Sequence, residues 1–157
     1  MPHYEPWSEE RARAVVDEFA HLEGPLMPML HAVQETFGHV PDAIVPMLAE
    51  KLNVSRAEVH GVVTFYHDFR HEPAGRHVLK LCRAEACQAA GGDALAEHAE
   101  HRLGCKLGET TADGRVTVEP IYCLGLCATA PSAMLDGKIV ARLTERRLDA
   151  LIVEAQS

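Results

Sequence analysis

Four of the five cysteines fall into two local pairs, Cys82 with Cys87 and Cys123 with Cys127, and this pattern constrains the fold more than any other feature of the chain. Four residues lie inside the first pair (CRAEAC), three inside the second (CLGLC), and 35 separate the two. Each pair is a short clip, so a fold using all four thiols must bring two distant stretches together. Four thiolates in two clips suit a buried redox centre such as [2Fe-2S], whose two irons each take two protein ligands. A structural zinc site is the rival, since it also takes four cysteines and tolerates two to four residues inside a clip. Spacing by itself leaves both metals open.

Other uses of the thiols fit less well. Disulfides need an oxidising compartment, and MPHYEPWSEERARAVVDEF shows no basic stretch followed by an apolar one, so a cytoplasmic, reducing location is expected. A dithiol catalyst of the thioredoxin kind would want C-x-x-C, which neither clip has. Cys105, alone in LGCKLGE, reads as a small packing residue.

Composition excludes several functions. Lys and Arg number 15 against 23 Asp and Glu, a formal charge of −8, and no basic stripe is present, so nucleic acid is not an expected ligand. No apolar run approaches the ~18 residues of a membrane span. The ten histidines are scattered, and His67 and His71, four apart, lack the carboxylate of an H-E-x-x-H zinc helix. The paired glycines Gly91 and Gly92 are not a phosphate loop and are expected to ease entry to a helix. No catalytic triad is visible.

The periodicity of the chain changes near residue 70. Residues 8 to 66 read as four helices. The first is capped by Ser8, carries Ala12, Val15, Val16, Phe19 and Leu22 on one side, and is expected to stop at Gly24. The second runs from Pro25 to a C-cap at Gly38, and the third from about Asp42 to Leu52 with Asn53 as its left-handed exit. The fourth opens with the capping box Ser55-x-x-Glu58 and continues through Val59, Val62, Val63 and Phe65. After the break at Glu72-Pro73-Ala74-Gly75, HVLKLC reads as a strand ending at Cys82, a loop holds Cys87, and a helix spans about Asp93 to Leu103. A strand through Val116 and Val118 then approaches Cys123. A hairpin turns at Asp136-Gly137, and a last helix starts at Thr144. This order, β, α, β, β-hairpin, α, is that of a small thioredoxin-like layer with both clips at strand ends.

In CLGLC, Gly125 would allow the tight turn that points backbone N–H groups at sulfur, and Leu124 and Leu126 would exclude water. Arg83 is an exposed loop cation or a second source of positive potential beside Cys82.

The segment LMPMLHAVQETFGHVPDAIVPMLAEKLNVSRAEVHGVVTFYHDF, the clip CRAEAC, the stretch GETTADGRVTVEPIYCLGLCATAP and the hairpin around LDGKIV together resemble the thioredoxin-like [2Fe-2S] subunit of NADH dehydrogenase modules. That family includes the small peripheral-arm subunit of complex I, the diaphorase part of bidirectional hydrogenases and the gamma subunit of soluble NAD-dependent formate dehydrogenases. The resemblance spans roughly residues 8 to 152. It implies an α+β chain, with an N-terminal four-helix bundle (1–72, docking) followed by a thioredoxin-like α/β [2Fe-2S] ferredoxin domain (73–157). Cys82, Cys87, Cys123 and Cys127 would be the ligands of one [2Fe-2S] cluster, with Cys105 outside the set. The Arg-Ala-Glu-Ala filler of the first clip and GVVTFYHDFR look most like the formate dehydrogenase gamma subunit. The implied role is a non-catalytic electron-transfer subunit beside a flavin- and NAD-binding beta-type partner. The FMN, the NAD site, further Fe-S clusters and the molybdenum cofactor would belong to that partner and to a molybdenum-bearing alpha-type subunit.

Overall fold

The computed structural model describes residues 4–157, which divide into two compact units, one ending at Pro73 and the other spanning Ala74–Ser157. The first unit is helical: α1 (Glu9–Asp17), α2 (Leu26–Phe37), α3 (Ile44–Leu52) and α4 (Arg56–Phe65). The second contains β1 (His77–Cys82), α5 (Glu85–Ala89), α6 (Gly92–Leu103), β2 (Val116–Ile121), β3 (Ala133–Leu135), β4 (Lys138–Val140) and α7 (Glu145–Gln156).

Several helix ends in the first unit follow their capping chemistry, although α2 and α3 start without a side-chain cap, α3 at Ala43 rather than at Asp42. Ser8 Oγ accepts from Arg11 N–H, and at α4 Ser55 and Glu58 exchange side-chain-to-backbone bonds in both directions. Gly38 ends α2 at φ 79° and Asn53 ends α3 at φ 53°, both left-handed. Ala12, Val15 and Val16 of α1, Met29, Leu30, Val33 and Phe37 of α2, Ile44 and Leu48 of α3, and Val59 and Val63 of α4 form one core. The Gln34 side chain donates to Asp68 O and accepts from Arg70 N–H, each at 2.7 Å, and so ties the segment after α4 to α2.

Two expectations fail here for physical reasons. α1 ends at Asp17 instead of running on toward Gly24, because Phe19, Ala20 and Leu22 take three-residue turn bonds; Leu22 is left 38% exposed. Phe65 is 72% exposed, since it follows the buried Val63 by two residues, about 200° round the helix, and so points away from the core. Within the second unit, Cys87 lies on the short helix α5, where the sequence suggests a loop.

The sheet of the second unit has the order β2-β1-β3-β4, with β1 parallel to β2 and antiparallel to β3, and β3 antiparallel to β4. Strand alternation puts Leu79, Leu81, Val116, Val118, Ala133 and Leu135 on one face. They pack there with Leu95, Ala96, Ala99 and Leu103 of α6 and with Leu148, Leu151, Ile152 and Ala155 of α7. Both long helices therefore cover the same face. The β3–β4 turn uses Asp136 and Gly137 at φ 49° and 84°, the left-handed pair that a two-residue hairpin turn requires. Asp136 also reaches β1, accepting from Val78 N–H at 2.8 Å and pairing with His77 Nδ1 at 2.6 Å. No helix among the described residues is long and apolar enough to cross a membrane.

Helices α6 and α7 are joined through Asp149, which meets His98 Nε2 at 2.9 Å and Arg102 Nε at 3.1 Å. The hydrogen bond from His98, aided by the charge of Arg102, holds the Asp149 carboxyl below its ordinary value despite some desolvation. A depressed carboxylate stabilises the fold above its unfolded-state value of about 3.9 and loses that contribution as pH falls through the lower native value. The urea midpoint of unfolding, followed from pH ~6 to ~2 across the carboxylate range, should therefore fall less steeply at the acid end in Asp149→Asn than in the wild type.

Candidate metal centre

The two clips meet because β1 and β2 run parallel and in register to their ends, where Cys82 lies opposite Ile121. A parallel pair sends both chains off the same edge of the sheet, so the segment after β2, with Cys123, emerges beside Cys82. Arg83 N–H donates to Ile121 O at 2.8 Å and continues the pairing one step past the strands. On the other side of β1, Cys82 N–H donates to Ser132 O at 3.1 Å, which brings in the segment leading to β3. Cys87 follows one turn into α5, and Cys127 opens a 3-10 turn over Cys127–Thr129.

The sulfurs form two pairs of different exposure. Cys82 and Cys87 are 4% and 2% exposed, whereas Cys123 and Cys127 lie open. Cys123 Sγ and Cys127 Sγ are 3.5 Å apart, and all five cysteines are free thiols. Backbone amides are aimed at the sulfurs: Gly125 N–H donates to Cys123 Sγ at 3.2 Å, and Cys82 accepts from Ala84 and, across the clips, from Cys123 and Leu124. Such donors offset negative charge on sulfur without adding a mobile cation. Cys123 itself has φ 94°, a backbone state that costs a non-glycine residue about 1–3 kcal/mol. Gly125 follows at φ 77°. Leu124 and Leu126 are half-buried beside the exposed pair.

Burial pushes the Cys82 thiol up, yet the amides of Ala84, Leu124 and Cys123 and the Cys87 thiol outweigh it, and the net direction is down. Cys127 is pushed up by its bond to Cys123 and by that neighbour's charge, with Cys87 and Cys82 adding to it. All four sulfurs thus share one electrostatic neighbourhood. Among the described residues no group of three or more His, Cys, Asp and Glu side chains is disposed around one ion. Cys123 and Cys127 form one close pair of sulfurs, and a [2Fe-2S] centre takes two cysteines at each iron, whereas a structural zinc takes four around one ion.

Some residues follow the sequence reading and others depart from it. Arg83 is only half-exposed, and its Nη2 is 3.0 Å from Asp93 Oδ1 on α6, a carboxylate that offsets part of its charge. Cys105 packs, half-buried, against the core of the second unit, and its thiol is pushed up by burial and by Glu109 and Glu100. His67 and His71 are exposed. Gly92 does more than ease a helix start: a Cβ there would lie 2.6 Å from Cys87 O and 2.9 Å from its carbonyl carbon. Ser132 is 2% exposed and pairs its Oγ with Cys87 Sγ at 3.6 Å, a contact that no sequence signal announces.

The thioredoxin-like [2Fe-2S] ferredoxin family matches residues 12–156 of the chain. The chain belongs to this ferredoxin family. It is 37% identical over 132 residues to an NADH-quinone oxidoreductase subunit of Pseudomonas aeruginosa, spanning 82% of this chain and 80% of that protein. It is 30% identical over 139 residues to a subunit of the NADP-reducing hydrogenase of Solidesulfovibrio fructosivorans, spanning 88% and 81%. Among solved structures it resembles an NAD+-reducing [NiFe]-hydrogenase in the H2-reduced state (TM-score 0.70, 28% identity), covering 83% of this chain but only 22% of that longer one.

Gly92→Ala should drive Cys87 off its position. Overpacking against backbone is expected to lower stability by about 1–3 kcal/mol in urea unfolding. Gly61→Ala in α4 is the contrast, because its Cβ meets nothing within 4 Å. There the gain in helix propensity should leave the ferredoxin as stable or up to ~1 kcal/mol more so.

Proposed function

We propose that this ferredoxin is a non-catalytic electron-transfer subunit in which Cys82, Cys87, Cys123 and Cys127 hold one [2Fe-2S] cluster. The observation that carries the reading is the parallel register that sets Cys82 opposite Ile121, extended by Arg83 N–H on Ile121 O at 2.8 Å, which brings together two clips 35 residues apart in sequence. When bound, the cluster supplies one-electron exchange. The protein supplies the rest. Cys82 and Cys87 form the buried side of the site, Cys123 and Cys127 the side open to a partner. The amides of Ala84, Cys123, Leu124 and Gly125 point at sulfur, and Leu124 and Leu126 keep water from part of the exposed pair. Such a site needs no acid, base or nucleophile.

The wider setting we propose is the cytoplasmic, NAD-dependent formate dehydrogenase complex. The chain would sit there beside a flavin- and NAD-binding beta-type subunit, with a molybdenum- and Fe-S-bearing alpha-type subunit as the source of electrons and the helical unit as the docking element. Support for formate comes from the filler of CRAEAC and from GVVTFYHDFR. A second setting, the equivalent place in an NADH-quinone oxidoreductase or a hydrogenase, is supported by the relatives named above. Purifying the native complex separates the two: a molybdopterin-bearing partner supports formate dehydrogenase, and a quinone-linked or nickel-bearing partner overturns it.

Anaerobically purified chain should be brown and contain about two irons and two acid-labile sulfides, with an EPR signal on reduction. Cys123→Ser should lose most of this content while Cys105→Ser keeps it. About one zinc per chain without visible absorption, or equal cluster loss in both variants, would defeat the ligand assignment.

A further inference from the structure

Ser132 touches both members of the buried thiol pair. Its carbonyl accepts from Cys82 N–H at 3.1 Å and its hydroxyl lies 3.6 Å from Cys87 Sγ. Sulfur's larger radius makes that separation ordinary for an O–H···S bond. The position is held from both sides, since Leu143 N–H donates to Pro131 O at 2.8 Å and Ala133 begins β3 in register with Leu81. Ser132 is 2% exposed and Cys87 is equally buried, so no water stands ready to replace the hydroxyl.

We infer that Ser132 is a positioning residue that donates its hydroxyl proton to Cys87 Sγ and raises the reduction potential of the cluster; the inference rests on the ligand set proposed above. A metal-bound cysteine is a thiolate and carries no proton, so of the two atoms only the hydroxyl can donate. Reduction adds one negative charge, part of it carried by the cysteine sulfurs, and a donor aimed at sulfur is held more tightly by the more negative state. The bond therefore favours the reduced form. Its effect is greater at the buried Cys87 than a similar bond would be at the exposed Cys123 or Cys127, where water can substitute.

The test is a mediated potentiometric titration of the full chain followed by EPR, with iron and sulfide measured on each sample. Ser132→Ala should make one-electron reduction roughly tenfold less favourable, a shift of ~59 mV to more negative potential. Ser132→Thr, which keeps the hydroxyl, should restore most of the wild-type value. Exchange into D2O should shift the Fe–S(Cys) stretching bands of the resonance Raman spectrum less in Ser132→Ala than in the wild type and Ser132→Thr, the remaining shift coming from the backbone amide donors. A loaded Ser132→Ala protein with the wild-type potential and an unchanged D2O shift overturns the inference. Where Ser132→Ala fails to hold the cluster, Ser132→Val serves instead: it matches Ser132→Thr in shape but has no donor, so its potential should lie below that of Ser132→Thr, and equal potentials there also overturn it. Wild-type chain without iron and sulfide would sink the ligand set itself, a separate outcome.

Discussion

The parallel pairing of β1 with β2 is the constraint on which the site depends. With His77 opposite Val116 at one end and Cys82 opposite Ile121 at the other, both strands deliver their following segments to the same edge of the sheet. Antiparallel pairing would have sent the two clips to opposite ends. The parallel choice needs a crossover, and α6 provides it, burying Leu95, Ala96, Ala99 and Leu103 against the same sheet face that α7 covers. The core of the second unit and the convergence of its thiols are thus one arrangement seen from two sides.

Around that edge the backbone acts as much as the side chains do. Cys123 takes a left-handed conformation that an ordinary residue avoids, and the amides of Cys123, Leu124 and Gly125 turn toward sulfur. The strain is local and is tolerated because the segments on either side are held, by Arg83 N–H on Ile121 O before it and by Arg142 N–H on Thr129 O after it, each at 2.8 Å. Exposure is divided between the pairs, with Cys82 and Cys87 sealed by α5 and the start of β3 while Cys123 and Cys127 stay open. Tyr122, 74% exposed, immediately precedes the open pair in the chain.

Features fixed by chemistry between near neighbours were legible in the chain. The Ser55–Glu58 capping box, the left-handed exits at Gly38 and Asn53 and the Asp136-Gly137 hairpin turn need no distant contact. Features that depend on what lies opposite were not. The apolar stripe of α1 looks continuous to Leu22, yet the helix ends at Asp17. Phe65 looks like core and faces outward, and Arg83 beside Cys82 turns away to Asp93 on α6. Ser132 is an ordinary small polar residue in sequence, and only the folding of β3 against β1 brings it to Cys87.

By itself, the sequence determined the chemical kind of the site: two thiol clips at strand ends, a glycine inside the second, a helical first half, and a family likeness over nearly the whole chain. Those properties reside in residue types and short spacings, which survive without coordinates. Tertiary structure alone decided which thiols are buried, which amides reach them, that Gly92 has no room for a Cβ beside Cys87, and that a serine hydroxyl lies against one sulfur. These depend on strand register and on contacts between residues tens of positions apart, which hydrophobic periodicity does not encode.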